Sequence, residues 1–172
     1  EIGVRLVGSE MCIRDRRGAY PCFIKKRREI MLNVIAKAEQ TVAAGQNIVF
    51  TNTRVKSRRC GCSSGWLNHI EGSGIFTITN RTNLPIAVEL QFNGNVTAAA
   101  AGATVLTLKL NGEAVGGTEM DYTVVTANTY QNVSADTLIP VPAGTSLTVS
   151  VGNISTTEVL VKDANLIIKK VA

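Results

Sequence analysis

The sequence contains few of the residues on which enzyme active sites usually depend. Its 172 residues include one histidine, four cysteines and 5% aromatic residues. His69 is the only histidine, and no Ser, Cys or Asp stands in a recognisable nucleophile context. No G-x-S-x-G, P-loop or dinucleotide-binding motif occurs either. The sequence therefore predicts a protein that is not an enzyme and that uses no cofactor.

Long apolar runs are also missing. A membrane-spanning helix needs about 20 consecutive apolar residues, whereas the longest candidate, residues 98–106, is interrupted by Gly102 and Thr104. At the N-terminus, Arg5 lies within the short apolar stretch, which is atypical of a secretory signal peptide. The sequence thus predicts no membrane span and shows no signal peptide.

The positive charge is concentrated near the N-terminus. The whole chain carries a net charge of +5. Residues 1–30 contain eight Lys or Arg against four acidic residues, whereas residues 31–172 contain ten against nine. Because the larger region is nearly neutral, nucleic acid is disfavoured as a partner. A basic N-terminal arm that binds nucleic acid or anionic lipid stays open as an alternative.

Residues 1–16 lack the apolar periodicity of a strand or a helix. Residues 1–16 (EIGVRLVGSEMCIRDR) resemble translated sequencing-adapter read-through, which recurs in metagenomic gene predictions. Arg27 and Arg28 can be encoded as AGGAGG, a bacterial ribosome-binding sequence, at a suitable spacing before Met31. We therefore expect residues 1–30 to be a disordered extension and residues 31–172 to form one domain, a length that suits a single core.

From residue 31 onward, apolar and polar residues alternate as they do in half-buried strands. The clearest alternation is in residues 86–92 (IAVELQF), and it recurs at 76–79, 106–110 and 146–151. Residues 158–171 predict one or two further strands. Residues 31–44 fit either a helix or strands, and Gly45 followed by Ile-Val-Phe at 48–50 favours a strand pair.

Turn signals separate these runs, because Gly and Asn tolerate the positive φ of tight reversals. They are EGSG at 71–74, NGN at 93–95, NGE at 111–113, GG at 116–117 and PAG at 142–144. Eight or nine short strands without intervening helices predict an all-β sandwich or barrel. Such double sheets leave edges and apolar outer faces that closed oligomers can cover, so self-association is expected.

Five segments carry a resemblance to a known family. They are residues 43–50 (AAGQNIVF), 69–78 (HIEGSGIFTI), 108–112 (LKLNG), 141–145 (VPAGT) and 165–168 (NLII). Over residues 34–171 the chain resembles the small tumour-necrosis-factor and complement-head-like jelly-rolls of Firmicutes and their phages. The resemblance implies a jelly-roll sandwich of about eight to ten antiparallel strands that forms a homotrimer.

The chain also departs from that family. Many such domains have an aromatic-rich Y-x-V-x-F strand, and residues 86–92 (IAVELQF) occupy its place here. No Gly-X-Y collagen stalk precedes the domain. Trimerisation is therefore expected to depend on the jelly-roll domain alone or on a partner.

A loop with two thiols is the only group of residues in the sequence that resembles a metal-binding site. Cys60 and Cys62 form a C-x-C pair with His69 nearby. These are three soft ligands at a spacing unlike that of zinc ribbons, and a fourth ligand is missing. Two unligated loop thiols, or a redox pair whose thiolate Arg58 and Arg59 would favour, are the alternatives. We predict no metal and keep the three residues as weak candidates.

The same loop carries basic residues close to the single tryptophan. Arg54, Lys56, Arg58 and Arg59 precede Trp66, a pattern that would suit contact with a polyanion or a glycan. A solvated loop is the more common meaning of such a run.

A pair of acidic residues is the last candidate for a site. Glu119 and Asp121 are two residues apart, so one strand face could present both to calcium. Two carboxylates alone do not complete a calcium shell, and an exposed acidic face is favoured.

These features predict a non-catalytic structural or binding module, located in a virion or on a bacterial cell or spore surface. A decoration or fibre-type phage protein is the leading form of this hypothesis, with other copies of the chain as the main partner and virion proteins, surface proteins or glycans as further ones. The alternative is a carbohydrate-binding module or an accessory domain of a hydrolase. Both rest on analogy of fold.

Overall fold

A computed structural model describes residues 30–56 and 65–171. Within these ranges the chain forms twelve β-strands, and no helix that could cross a membrane occurs in them. The strands are β1 Ile30–Ala36, β2 Gln40–Val42, β3 Asn52–Lys56, β4 Leu67–His69, β5 Phe76–Thr79, β6 Ile86–Thr97, β7 Gly102–Leu110, β8 Glu113–Ala114, β9 Met120–Val124, β10 Gln131–Val141, β11 Ser146–Asn153 and β12 Val159–Lys170. The all-β prediction is confirmed.

The strands form two antiparallel six-stranded sheets. Sheet I has the order β10-β6-β12-β1-β3, and β2 also pairs with β12. Sheet II has the order β4-β5-β11-β7-β8, and β9 also pairs with β7. The longest strands, β6 and β12, lie side by side in sheet I and pair along most of their length.

The core lies between the sheets, because one side chain in two points inwards on each strand. In β6 the inward residues Ile86, Val88, Leu90 and Phe92 are buried, as the alternation in the sequence predicts. In sheet II, Phe76 of β5 packs its ring edge-on against Phe50, with ring centroids 5.6 Å apart. This sandwich core is continuous across both sheets.

Two local predictions needed correction. Residues 93–95 (NGN) were expected to form a turn, but β6 continues through them to Thr97. Gly94 faces inwards there, and a Cβ on it would lie 3.0 Å from Cζ of Phe92, so the glycine serves close packing and not a reversal. Residues 48–50 were expected to be a strand, yet only isolated bridges form nearby, from Asn47 to Gly152 and from Phe50 to Ser73.

Other local predictions are confirmed. Residues 31–44 contain the strands β1 and β2 and no helix. The turn at 111–113 is formed, since Asn111 has φ of 51° and Gly112 of 90°. The Asn111 side chain also accepts a hydrogen bond from the backbone N–H of Thr148, at 2.8 Å, which ties this hairpin to β11.

Two buried asparagines organise the loops at opposite ends of the sandwich. Asn80 donates to the carbonyls of Leu84, Val141 and Pro142 at 2.9 to 3.0 Å. At the other end, Asn153 donates to the carbonyls of Val42 and Thr157 at 2.9 and 2.8 Å. Buried amides of this kind replace ladder hydrogen bonds where strands end. They hold the loops rigidly against the core.

Candidate functional site

The structure separates the members of the basic loop. Arg54 and Lys56 are exposed on the edge strand β3, whereas Arg58, Arg59, Cys60 and Cys62 lie outside the described residues. Trp66 is half-buried and packs against the core, so part of its ring is used for packing. The ligand-contact loop therefore stays a prediction, although a ring engaged in the core offers less surface to a sugar.

His69 lies at the edge of the core on β4. Its ring stacks on that of Phe76, with centroids 4.3 Å apart and planes 20° from parallel, and neither ring nitrogen lies in hydrogen-bond geometry with a partner in the described part of the chain. Burial lowers the pKa of His69 below its ordinary value of 6.5, and the nearby charge of Lys56 adds to this effect. The Ile75 backbone and the Glu71 carboxylate raise the pKa, but less than burial lowers it.

This setting predicts a loss of stability in mild acid. The unfolded chain binds a proton at His69 more readily than the folded chain, so the free energy of unfolding falls as pH drops below about 6.5. The fall levels off below the lowered pKa of the folded state. Thermal unfolding of the wild type and of H69F between pH 7 and pH 5 measures the loss of stability that His69 causes. The comparison is direct because His69 is the only histidine. The wild type should lose more stability than H69F, and equal losses would refute this role of His69.

No metal centre is assembled among residues 30–56 and 65–171, where no three His, Cys, Asp or Glu side chains come together. The Cys60, Cys62 and His69 candidate cannot be judged from this, because both thiols lie outside the described ranges. Glu119 and Asp121 are exposed, with Asp121 on β9 and Glu119 just before it. The preferred interpretation of an exposed acidic pair fits their position.

Loops cover the middle of the outer face of sheet II. Thr107 and Lys109 of β7 point away from the core but are buried. Thr107 shares a 3.1 Å hydrogen bond with Thr118, and Lys109 donates to the carbonyl of Gly45 at 3.4 Å. A Cβ on Gly152 would lie 2.5 Å from Nζ of Lys109. The absence of a side chain at Gly152 therefore leaves the space that the Lys109 side chain occupies. The loops on both sides thus close this face.

The outer face of sheet I differs, because its central side chains are half-exposed. In register across the sheet, Ile167 of β12 lies between Asn33 of β1 and Gln91 of β6. In the next row, Asn165 lies between Ile35 and Asn93. This outer face includes Met31, Asn33, Ile35, Val55, Glu89, Gln91, Asn93, Asn95, Asn132, Ser134, Asp136, Leu138, Asn165, Ile167 and Lys169. Apolar and amide side chains alternate over its centre.

Hydrogen bonds connect the amides on one side of this face. Asn93 donates to Oδ1 of Asn132 at 3.2 Å, and Asn132 donates to Oδ1 of Asn95 at 3.1 Å. Asn95 in turn donates to the carboxylate of Asp163 at 3.4 Å. Towards the other end of the strands, Lys169 and Glu89 form an ion pair at 4.0 Å. The face is therefore polar and close to neutral, with isolated apolar side chains in it.

A tyrosine lies at one end of the same sheet, directly before β10. Tyr130 donates a hydrogen bond to the carboxylate of Glu39, and Nζ of Lys162 lies 3.7 Å from the centroid of its ring, a cation–π contact. Burial and the bond to Glu39 raise the pKa of Tyr130 to about 12. The phenol therefore stays protonated at neutral pH and fixes the loop between β1 and β2.

Comparison with known proteins identifies the fold. Protein-family models and curated proteins gave no match. Among solved structures, the globular domain of zebrafish complement 1qA superposes with a TM-score of 0.57 and 12% identity, over 84% of this chain and 98% of that one. Eiger TNF from S. frugiperda gives 0.59 and 9%, over 84% and 93%. Murine APRIL gives 0.52 and 9%, over 84% and 100%.

The chain thus has the jelly-roll fold of complement globular heads and tumour-necrosis-factor domains, as the sequence resemblance implied. The identities are too low to carry any residue's role from those proteins. The sequence drew attention to the loop at 54–66 and missed the outer face of sheet I. The only signal of this face in the sequence is a spacing of two residues, between Asn33 and Ile35 and between Asn165 and Ile167. Residues two apart lie on the same face of a strand.

Proposed function

We propose that this protein is a non-catalytic module that assembles as a homotrimer through the outer face of sheet I. One observation carries the proposal: the centre of that face is half-exposed, alternates Ile35 and Ile167 with amides and, unlike the centre of sheet II, is covered by no loop within residues 30–56 and 65–171. Apolar groups on an open sheet face favour association with another surface. The likeness of fold to complement heads and tumour-necrosis-factor domains supports a binding role.

The proposed setting is a virion, as a decoration or fibre-type protein, or the surface of a bacterial cell or spore. It is supported by the resemblance of residues 34–171 to jelly-rolls of Firmicutes and their phages. The neighbouring genes on the source contig test the choice, because capsid and tail genes beside this one would favour the phage. Genes for envelope or spore-coat proteins would favour the cell.

The oligomeric state tests the assembly itself. Sedimentation equilibrium of the full chain at micromolar concentration should give a mass three times the 18.3 kDa of one chain. Association should withstand moderate salt, because the face is close to neutral and apolar contacts contribute more than charge. A mass of one chain at every concentration would contradict the proposal.

A further inference from the structure

Two amide groups at the centre of the outer face of sheet I have unsatisfied oxygens. Asn33 lies on β1 and Asn165 on β12, and in each the Oδ1 atom is shielded from solvent and has no hydrogen-bond partner among the residues that the structure describes. Asn93, Asn95 and Asn132 of the same face differ, because they bond one another. On this face the unsatisfied amide oxygens thus lie on two paired strands in the middle of the sheet, and elsewhere in the described ranges Oδ1 of Asn47 and Oγ1 of Thr97 are also shielded without a partner.

An amide with an unsatisfied oxygen is unfavourable and can be relieved by association. Asn33 and Asn165 are both partly exposed as residues, although their Oδ1 atoms are shielded from solvent. The torsion about the Cβ–Cγ bond of asparagine is broad and roughly two-fold, so a rotation of about 180° exchanges the oxygen and the NH₂ group. The oxygen then becomes available to a donor from outside the protomer.

A second copy of the same face is the partner that this chemistry fits. An amide carries both a donor and an acceptor, so the same residue on each copy around a rotation axis can bond the next, Nδ2–H to Oδ1. The face also lacks a strong charge of one sign, since Glu89 and Lys169 pair on it, and identical copies would not repel. Ile35 and Ile167, beside the amides in register, would supply the apolar contact.

We infer that Asn33 and Asn165 form amide contacts between copies and that these contacts set the register and number of subunits. The inference rests on the proposed self-association. Buried polar groups that must pair across an interface commonly reduce affinity while excluding other arrangements, as a single buried asparagine does in coiled coils. Removal of the amides is therefore expected to weaken specificity and not association.

The test replaces both amides by leucine, whose side chain has the same branching at Cγ and the same number of heavy atoms. The double variant N33L/N165L should remain associated but give two or more oligomeric species in sedimentation velocity, where the wild type gives one. The matched control is N68L, at an exposed position on β4 of sheet II, which should behave as the wild type. A single species of wild-type mass from N33L/N165L would overturn the inference.

A second variant gives an independent result should the leucine protein precipitate. N165D replaces the donor by a carboxylate, so copies that bring this position together place negative charges side by side. Its dissociation at pH 7 should occur at a protein concentration at least about tenfold higher than at pH 4, whereas N68D should show no such difference. Association of N165D that does not depend on pH would overturn the inference, whereas a wild type that is monomeric throughout would refute the proposed function instead.

Discussion

Aspartate in place of Ile167 is expected to separate the proposed trimer into folded monomers. Ile167 lies at the centre of the outer face of sheet I, between Asn33 and Gln91, and points away from the core. In the monomer the new carboxylate would remain hydrated, so the fold should survive. In an assembly it would be buried without a cation, which costs several kcal/mol per ion. Dissociation should therefore occur at a concentration at least about a hundredfold higher, since 1.4 kcal/mol is tenfold.

The matched control is L84D, which makes the same kind of change on a loop at the end of the sandwich. Leu84 is 72% exposed and lies outside the outer face of sheet I, so L84D should keep the mass of the wild type. Sedimentation velocity over a hundredfold range of concentration gives the oligomeric state, and far-ultraviolet circular dichroism checks that both variants fold. I167D that folds and keeps the wild-type mass would exclude this face as the interface.

The sequence predicted the architecture well where alternation was long and regular. Residues 86–92 gave both the existence of β6 and its inward side, because a half-buried strand has a period of two. The Asn-Gly pair at 93–94 led to a wrong prediction of a turn. The same dipeptide occurs in turns and also at places where a backbone or a ring approaches closely. Only the packing of Gly94 against Phe92 and Ala164 distinguishes the two.

The candidate site was harder to predict, because it depends on pairing between distant parts of the chain. Asn33 and Ile167 become neighbours only through the register of β1 with β12, which no local pattern specifies. Asparagine is also common in turns, so its presence within strands carries little signal on its own. The cysteines and arginines at 54–62 were conspicuous as residue types and stay untested candidates, whereas the proposed assembly surface carries no residue type that stands out in the sequence.

Alanine in place of Phe76 is expected to destabilise the fold more than any exposed substitution. Phe76 is fully buried on β5 and contacts the ring of Phe50 on one side and of His69 on another. Its removal leaves a cavity that rigid strands cannot fill, which costs about 3–5 kcal/mol for Phe to Ala. Such a loss is a large part of the roughly 5–15 kcal/mol that stabilises a typical domain.

Urea unfolding at one fixed protein concentration measures this loss, because association would otherwise shift the midpoint. V125A is the control, since Val125 is 81% exposed and its truncation should change the free energy of unfolding by less than about 0.5 kcal/mol. F76A should also alter the pH dependence due to His69, because the histidine loses the ring that helps to exclude water from it. A loss below about 1 kcal/mol in F76A, against the range typical of buried aromatic rings, would mean that the Phe50–Phe76–His69 cluster is not central to the core.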